Sequence, residues 1–304
     1  MERSLPFLLS GMLAAVPAIA PAAQEVRGLG DSTFTWSEHV DAGATLHVFN
    51  IHGAIRVSRG AGDLAEVRAE KYSRYSGRRE DVGFVVLRDG RGGDVTICAV
   101  IPDQSECDQG RLHATHDDDS DVARVDFVVR LPRGVRLDAG TGNGEVTVQG
   151  ATADVSAHSG NGRVRVGVGA AAVVASSGNG EVDVDDASGR VTARSGNGRV
   201  RVTTEGGPVS ASSGNGDIEV QMAKVPDSDD LEFSTGNGRV SVTVPPSFEG
   251  EIETSQGHGT FSSDFPFTLE GHMDPHHVKG VIGRGGRRIL MSSGNGDLEL
   301  RKSR

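Results

Sequence analysis

One four-residue segment recurs along this chain at a fixed interval. Ser/Thr-Gly-Asn-Gly begins at Thr141, Ser159, Ser177, Ser195 and Ser213, each 18 residues after the last, and returns at Thr235 and Ser293. A degraded copy, Gln256-Gly257-His258-Gly259, stands between the final two. A repeat of this length is one supersecondary unit that buries its apolar face only against copies of itself. Aligned on the tetrapeptide, each column keeps its own chemistry. Before it lie Leu137/Ala139, Val155/Ala157, Val173/Ala175, Val191/Ala193, Val209/Ala211, Leu231/Phe233, Ile252/Thr254 and Ile289/Met291. After it lie Val146/Val148, Val164/Val166, Val182/Val184, Val200/Val202, Ile218/Val220, Val240/Val242 and Leu298/Leu300. Both sets alternate with polar residues, the period-two pattern of half-buried strands rich in β-branched side chains. The tetrapeptide is the corner between two strands, supplied by Gly142-Asn143-Gly144, Gly160-Asn161-Gly162, Gly178-Asn179-Gly180, Gly196-Asn197-Gly198, Gly214-Asn215-Gly216, Gly236-Asn237-Gly238 and Gly294-Asn295-Gly296. Positive φ is expected at these corners, since Asn tolerates it and Gly adopts it readily.

A repeated strand–corner–strand fits either a meander of hairpins or a solenoid of coils, and the outward charges separate them. After each corner they read Glu145/Thr147, Arg163/Arg165, Glu181/Asp183, Arg199/Arg201, Asp217/Glu219 and Arg239/Ser241, so the sign flips with every repeat. In a parallel sheet that stacks equivalent strands, each arginine pair lies between acidic pairs. Opposed charges across strands contribute roughly 0.2–1 kcal/mol each, and like charges cost as much. The alternation therefore penalises a slip of one repeat. In a meander, equivalent strands are not neighbours and the alternation has no use. The chain is expected to be all-β: a parallel β-solenoid, or β-helix, of about eight coils and about 35–40 Å, preceded by a β-rich N-terminal part.

Composition agrees with such a scaffold. Glycine numbers 43 in 304 residues while aromatics make up only 4%, so Val, Ile, Leu and Ala must fill the core. The 11 prolines have no collagen-like period. With 31 basic against 42 acidic residues the net charge is −11, which argues against a nucleic-acid or anionic-membrane partner.

Residues 1–22 read as a cleaved signal peptide: Arg3, an apolar run from Leu5 to Ala20, and Ala20-Pro21-Ala22 as the cleavage site. No later stretch is apolar for long enough to span a bilayer. In an exported chain, Cys98 and Cys107, bracketing a turn with Pro102, Asp103 and Ser105, are expected to form a disulfide. Residues 23–133 read as a β-rich region containing that disulfide hairpin. Residues 134–304 read as the repeat array, with a loop excursion over 257–286 before the last coil. The array's grammar appears once earlier, in Asn50-Ile51-His52-Gly53-Ala54-Ile55-Arg56-Val57.

These features together resemble the bacterial putative-adhesin family of exported β-strand-repeat proteins of unknown function. The resemblance rests on the leader, the early Asn50–Val57 strand, Leu131-Pro132-Arg133-Gly134-Val135 before the first corner, the repeated Gly-Asn-Gly-x-Val-x-Val, and the close through Gly280–Gly286 and Ser293–Leu300. It covers nearly all of the mature chain and implies an exported β-solenoid with an adhesive role. No catalytic residue comes with it.

Other chemistries have less behind them. The Gly-rich corners lead into strands and lack the Lys-Ser/Thr of a phosphate loop. A calcium-binding nonapeptide roll would need Asp where these repeats have their second glycine, as at Gly198. The stretch Gly283-Arg284-Gly285-Gly286 mimics the loop of a KH domain, but a repeat strand follows it rather than a helix. His113, His116, Asp117–Asp119 and Asp121 are ligand types gathered in one acidic loop, where a solvated role outweighs a metal. No nucleophile elbow appears. The expected function is a non-enzymatic exported binding scaffold, without cofactor, whose protein or glycan ligand at the cell envelope is met by the loops Gln104–Asp121, Pro226–Asp230 and Gly257–Gly286. The alternatives are a polysaccharide-active β-helix enzyme, disfavoured because Trp36, Tyr72 and Tyr75 lie away from the array, and a structural protein that assembles end to end through an uncapped edge.

Overall fold

The computed structural model describes residues 25–73, 78–90, 93–114, 123–169, 172–226, 229–271 and 274–304. The leader expected over residues 1–22, Tyr75, and the cluster of His116, Asp117–Asp119 and Asp121 lie outside the described residues.

The N-terminal part contains β1 (Val26–Arg27), β2 (Thr33–His39), β3 (Thr45–His52), β4 (Ile55–Arg59), β5 (Leu64–Tyr72), β6 (Gly83–Arg88), β7 (Val95–Val100), β8 (Ser105–Asp108), β9 (Arg111–Ala114) and β10 (Arg124–Leu131). The array follows in pairs: β11 (Arg136–Asn143) with β12 (Val146–Ala151), β13 (Val155–Asn161) with β14 (Val164–Val168), β15 (Val173–Ser177) with β16 (Val182–Ala187). Then come β17 (Val191–Asn197) with β18 (Val200–Thr204), β19 (Val209–Asn215) with β20 (Ile218–Met222), and β21 (Leu231–Asn237) with β22 (Val240–Val244). The last part holds β23 (Gly250–His258), β24 (Phe261–Ser263), β25 (Thr268–Leu269), β26 (His277–Ile282), β27 (Arg288–Asn295) and β28 (Leu298–Lys302).

The chain is a two-faced β-solenoid. Among the described residues, each coil places the strand before its corner in a first sheet of 14 strands and the strand after it in a second sheet of 12. Equivalent residues stack in register, so Val146 lies beside Val164, Val164 beside Val182, and Val182 beside Val200. Inward side chains of both sheets meet in one continuous apolar core, in which Val146, Ala157, Val166, Ala175 and Val184 are fully buried. The array supplies eight coils, and the N-terminal part continues the same sheets with two more. In those, β3 and β4 pair in parallel with β11 and β12, and β7 and β10 pair in parallel with β3 and β4.

Chain order and spatial order part at both ends. The final motif coil, β27–β28, does not close the rod. It stands between β21–β22 and the degraded coil β23–β24. The segment 257–286, expected as a loop excursion, carries β24, β25 and β26, and β26 runs antiparallel along the outer edge of β23. Apolar alternation is too brief in β24 and β25 to announce them. At the N-terminal end, β6 and β1 flank β7 while β5 and β2 flank β10. The outermost strands are thus two or three residues long except β2, which has seven.

The corners need glycine for a reason other than positive φ. None of their asparagines has positive φ, and of the motif's second glycines only Gly238 and Gly296 do, at 152° and 149°. Instead, a carbonyl of the neighbouring coil stands where a side chain would begin. A Cβ on Gly144, Gly162, Gly180, Gly198, Gly216, Gly238 or Gly296 would lie 2.0–2.3 Å from that oxygen, and one on Gly142, Gly160, Gly178, Gly196, Gly214, Gly236 or Gly294 would lie 2.4–2.7 Å from one. The other two motif residues bond along the rod. Each Ser or Thr from Ser159 to Ser293 donates its hydroxyl to the second-glycine carbonyl of the adjacent coil at 2.8–2.9 Å. Asn161 donates its amide to Asn143 Oδ1 at 2.8 Å, and the same step repeats at 2.7 Å through Asn179, Asn197, Asn215, Asn237 and Asn295. His52 and His258 occupy the ladder's two ends in register.

The few aromatics close the ends of the core. Phe34, Trp36, Phe84 and Phe127 fill the N-terminal end, and Phe233, Phe248 and Phe265 the other. Phe34 stacks on Phe84 at 4.4 Å, and Phe248 meets Phe265 edge-on at 5.8 Å. Between Phe127 and Phe233 there is no aromatic side chain except the imidazole of His158.

Asp126 joins the N-terminal strands to the array. It accepts from the Ala54 amide at 3.0 Å and from Arg124 Nε at 2.8 Å, with Arg56 at 3.7 Å. Burial pushes its carboxyl up, but these hydrogen bonds and the two guanidinium charges outweigh burial and hold it below its ordinary 3.8. A depressed value in the folded chain means that its stabilisation is present above the unfolded value and lost as pH falls through the folded one. Melting temperature measured from pH 7 down to about 2 should therefore fall less steeply for Asp126→Asn than for the parent chain in the range below about 4.

Candidate functional site

The outer face of the second sheet carries the charge ladder. Arg163 pairs with Glu181, Arg165 stands 3.7 Å from Asp183 and 3.9 Å from Glu145, and Arg201 meets Glu219 at 3.1 Å. Arg199 follows the same backbone register, the Val182 amide donating to its carbonyl and the Val200 amide to that of Asp217, both at 2.9 Å. Arg239 reaches Glu299 at 3.5 Å, so the ladder runs from the sixth corner directly into the C-terminal coil. Asp217 also accepts from the Arg239 amide at 2.9 Å. A face that neutralises itself this way offers little net charge to a partner.

The outer face of the first sheet differs at its N-terminal end. The segment expected as a loop over Gln104–Asp121 holds the β8–β9 hairpin, with Ser105 opposite Ala114 and Asp108 opposite Arg111. Cys98 and Cys107 form a disulfide that ties this hairpin to β7. Under it lies a small second core of Val85, Cys98, Val100 and Cys107, with Phe49, Leu87 and Leu112 packed against it. Disulfide closure of so short a loop contributes about 2–3 kcal/mol in the chain-entropy account. Replacing both cysteines by alanine should accelerate amide exchange across residues 105–114 while leaving β13 to β20 protected. Equal loosening of both regions would contradict a local role.

Between the hairpin and the sheet is a groove of about 440 Å³. Its floor is the outward face of β3, β11 and β13, with Phe49, Gly140 and His158, and its wall is Arg111, Leu112 and His113. Gly140 makes room for it: where other coils carry His158, Ser176, Arg194 or Ser212, a Cβ here would lie 3.0 Å from the Phe49 ring. Asp138 stands at the centre. His47 Nδ1 is 3.1 Å from its Oδ2, and His158 Nε2 is 3.9 Å from its Oδ1. His158 is bracketed by hydroxyls, Ser156 at 2.6 Å from Nε2 and Ser176 at 2.7 Å from Nδ1. Asp138 thus approaches the same ring nitrogen that faces Ser156. A hydrolase relay needs the carboxylate hydrogen-bonded to the nitrogen opposite the nucleophile. Relative to Ser176 on Nδ1, Asp138 is on the opposite nitrogen, but at 3.9 Å it is outside hydrogen-bond reach, and Nε2 is already engaged by Ser156.

Of the ligand-type side chains singled out in the sequence, His113 reaches this groove, which residues 110–114 of the contact segment Gln104–Asp121 line together with Asn50, Ile51, Thr141 and Gly142. His47, Asp138 and His158 were not visible as a set because they come from three different coils. The one signal was that Gly140 and His158 depart from a column that further along the array holds Ser176, Arg194, Ser212, Ser234, Ser292 and Ser255. Among the described residues no group of three metal-ligating side chains is brought together. A second depression of about 660 Å³ lies between Lys224, Phe248 and Arg284. Its two arginines are already engaged: Arg284 pairs with Glu249 at 2.8 Å, and Arg287 donates to the Val225 carbonyl at 2.6 Å. The neighbouring insertion is likewise held, Asp229 by Arg190 at 3.2 Å and Asp230 by Arg288 at 3.1 Å. These contacts brace the crossing that lets β27 enter the sheet.

Comparison with solved structures finds the chain similar to a putative cell adhesion protein from Clostridium sporogenes, at 11% identity and a TM-score of 0.32, covering 89% of this chain and 100% of that one. It is similar to a putative adhesin from Parabacteroides merdae at 11% identity and a TM-score of 0.39, covering 91% and 99%. It is also similar to a putative lipid binding protein from Parabacteroides distasonis at 9% identity and a TM-score of 0.34, covering 88% and 96%. No curated protein matches the sequence. The sequence model of one family matches residues 101–301, two thirds of the chain, from the disulfide hairpin through the last repeat: the chain belongs to the Toastrack DUF4097 family.

Proposed function

We propose that this chain is an exported, non-enzymatic β-solenoid scaffold, adhesin-like in role, that binds a ligand at the cell envelope through the groove beneath the disulfide hairpin. The observation that carries this reading is the groove itself. It is an irregular recess with both apolar and polar walls on a rod whose charged face is internally paired. Recognition concentrates where a rigid repeat is interrupted, because the repeat fixes the geometry and the interruption supplies distinct chemistry. The disulfide supports export, since such a bond persists in an oxidising compartment. The His158 ring is held by two serine hydroxyls, with the Asp138 carboxylate at 3.9 Å, outside hydrogen-bond reach, which supports binding rather than catalysis.

Fractionation of cells producing the full chain should recover it outside the cytoplasm with the Cys98–Cys107 bond formed. The purified protein should bind isolated envelopes, and replacing residues 102–121 by a short Gly-Ser turn should abolish that binding. Cytoplasmic recovery would remove the export half of the proposal. Envelope binding that survives the hairpin replacement would remove the groove.

A further inference from the structure

We infer that the groove is a saccharide subsite that takes one ring of a neutral sugar, an assignment that rests on the scaffold reading and gives it a ligand class. Three features of the groove define its chemistry. Its centre presents a buried acceptor without a donor. Asp138 is held through Oδ2 by His47 at 3.1 Å, while its Oδ1 has no hydrogen-bond partner, His158 Nε2 standing 3.9 Å away. A buried acceptor left unpaired is costly, so the complementary ligand brings hydrogen-bond donors. The floor, meanwhile, offers a flat apolar surface, the half-buried Phe49 ring beside His47 at 6.1 Å between centroids. That surface suits the C–H face of a pyranose, and Leu112 borders it.

Charge selects among donors. A cationic ligand would meet Arg111 on the wall as well as Asp138, and an anionic one would meet Asp138 as well as Arg111, so one charge of each sign favours a neutral polyol. A volume of about 440 Å³ lies in the range of small-molecule sites and accepts one or two sugar rings. The hydroxyls of Ser156 and Ser176, already aligned on His158, lie along the next coils, in line with a chain of rings running down the face.

The test is saturation-transfer NMR on the full exported chain with glucose, galactose, mannose, N-acetylglucosamine, cellobiose and chitobiose in turn. At least one should receive saturation with a Kd in the roughly millimolar range, the affinity expected of a shallow single-ring site. Amide shift changes should be confined to residues 49–51, 110–114, 138–142 and 158. Asp138→Asn should weaken binding at least about tenfold, and Phe49→Leu, which keeps the site apolar but removes the ring, should do the same; Arg163→Gln on the opposite sheet should change nothing. The shift map needs no variant, so a misfolded Asp138→Asn leaves the test standing. No saturation transfer from any of the six sugars, or shifts elsewhere on the rod, would overturn the assignment. So would shifts at His47, Asp138 and His158 with zinc chloride alone and none with sugar. If sugars fail while envelope binding still depends on the hairpin, the scaffold reading survives and the ligand class falls.

Discussion

Alanine at Gly180 is expected to lower stability by at least about 3 kcal/mol, a drop in melting temperature of about 6–12 °C for a domain of this size. Its Cβ would stand 2.2 Å from the Gly162 carbonyl oxygen and 2.6 Å from the carbonyl carbon, and both atoms are backbone in the adjacent coil. Relief requires the two coils to separate at the corner. That separation would stretch the Ser177 bond to the Gly162 carbonyl and the Asn179–Asn161 bond, each 2.7–2.8 Å. The control is Gly62→Ala, in a turn where an added Cβ meets nothing within 4 Å, and it should change stability by no more than about 0.5 kcal/mol. Thermal unfolding of the two variants decides the point. Equal effects would mean that close approach along the rod is not what selects glycine, and that backbone freedom alone does.

Ending the chain at Gly286 should unfold more than the residues it removes. The deletion takes away Ile289, Met291, Leu298 and Leu300, all buried, each contributing about 1.5–3 kcal/mol. Because β27 lies between β21 and β23, it also leaves β23 and β24 without the coil through which they join the solenoid. The amides of β23 should then lose protection by about two to three orders of magnitude, while those of β15 to β18 stay protected, since coils contact only their neighbours. Stacking in chain order makes the opposite prediction. There β23 would pair directly with β21, the last coil would be a terminal cap, and its removal would leave β23 protected. Hydrogen exchange on the truncated protein distinguishes the two arrangements.

Much of this fold is legible in the residues because a repeat states the same constraint many times. The period-two columns around Val146/Val148 and Val155/Ala157 can be buried only if strands alternate between two facing sheets. The alternating charges can be paired only if equivalent strands are neighbours. What repeats less is less legible. The coil formed by β7 and β10 has its corner replaced by 23 residues from Ile101 to Ala123, so its membership in the solenoid leaves no period to detect. Glycine at the corners was expected, but for its φ, and its packing role against the next coil is a property of the stack. The groove was less visible still. His113 stood out as a ligand type, whereas Asp138, Gly140 and His158 sit in outward columns whose side chains vary from coil to coil.

By itself, then, the sequence determined the element: an all-β coil of 18 residues, its inward and outward faces, its corner and its pairing rule. Each of these follows from interactions between positions related by the period, which one coil shares with the next. The tertiary structure alone decided how the rod ends, where the C-terminal coil inserts, and which side chains meet beneath the hairpin. Those outcomes depend on contacts between segments with no common period, such as Phe248 against Phe265 or His47 against Asp138. A side chain's partner at such a place is fixed by the path of the whole chain, and no local pattern encodes it.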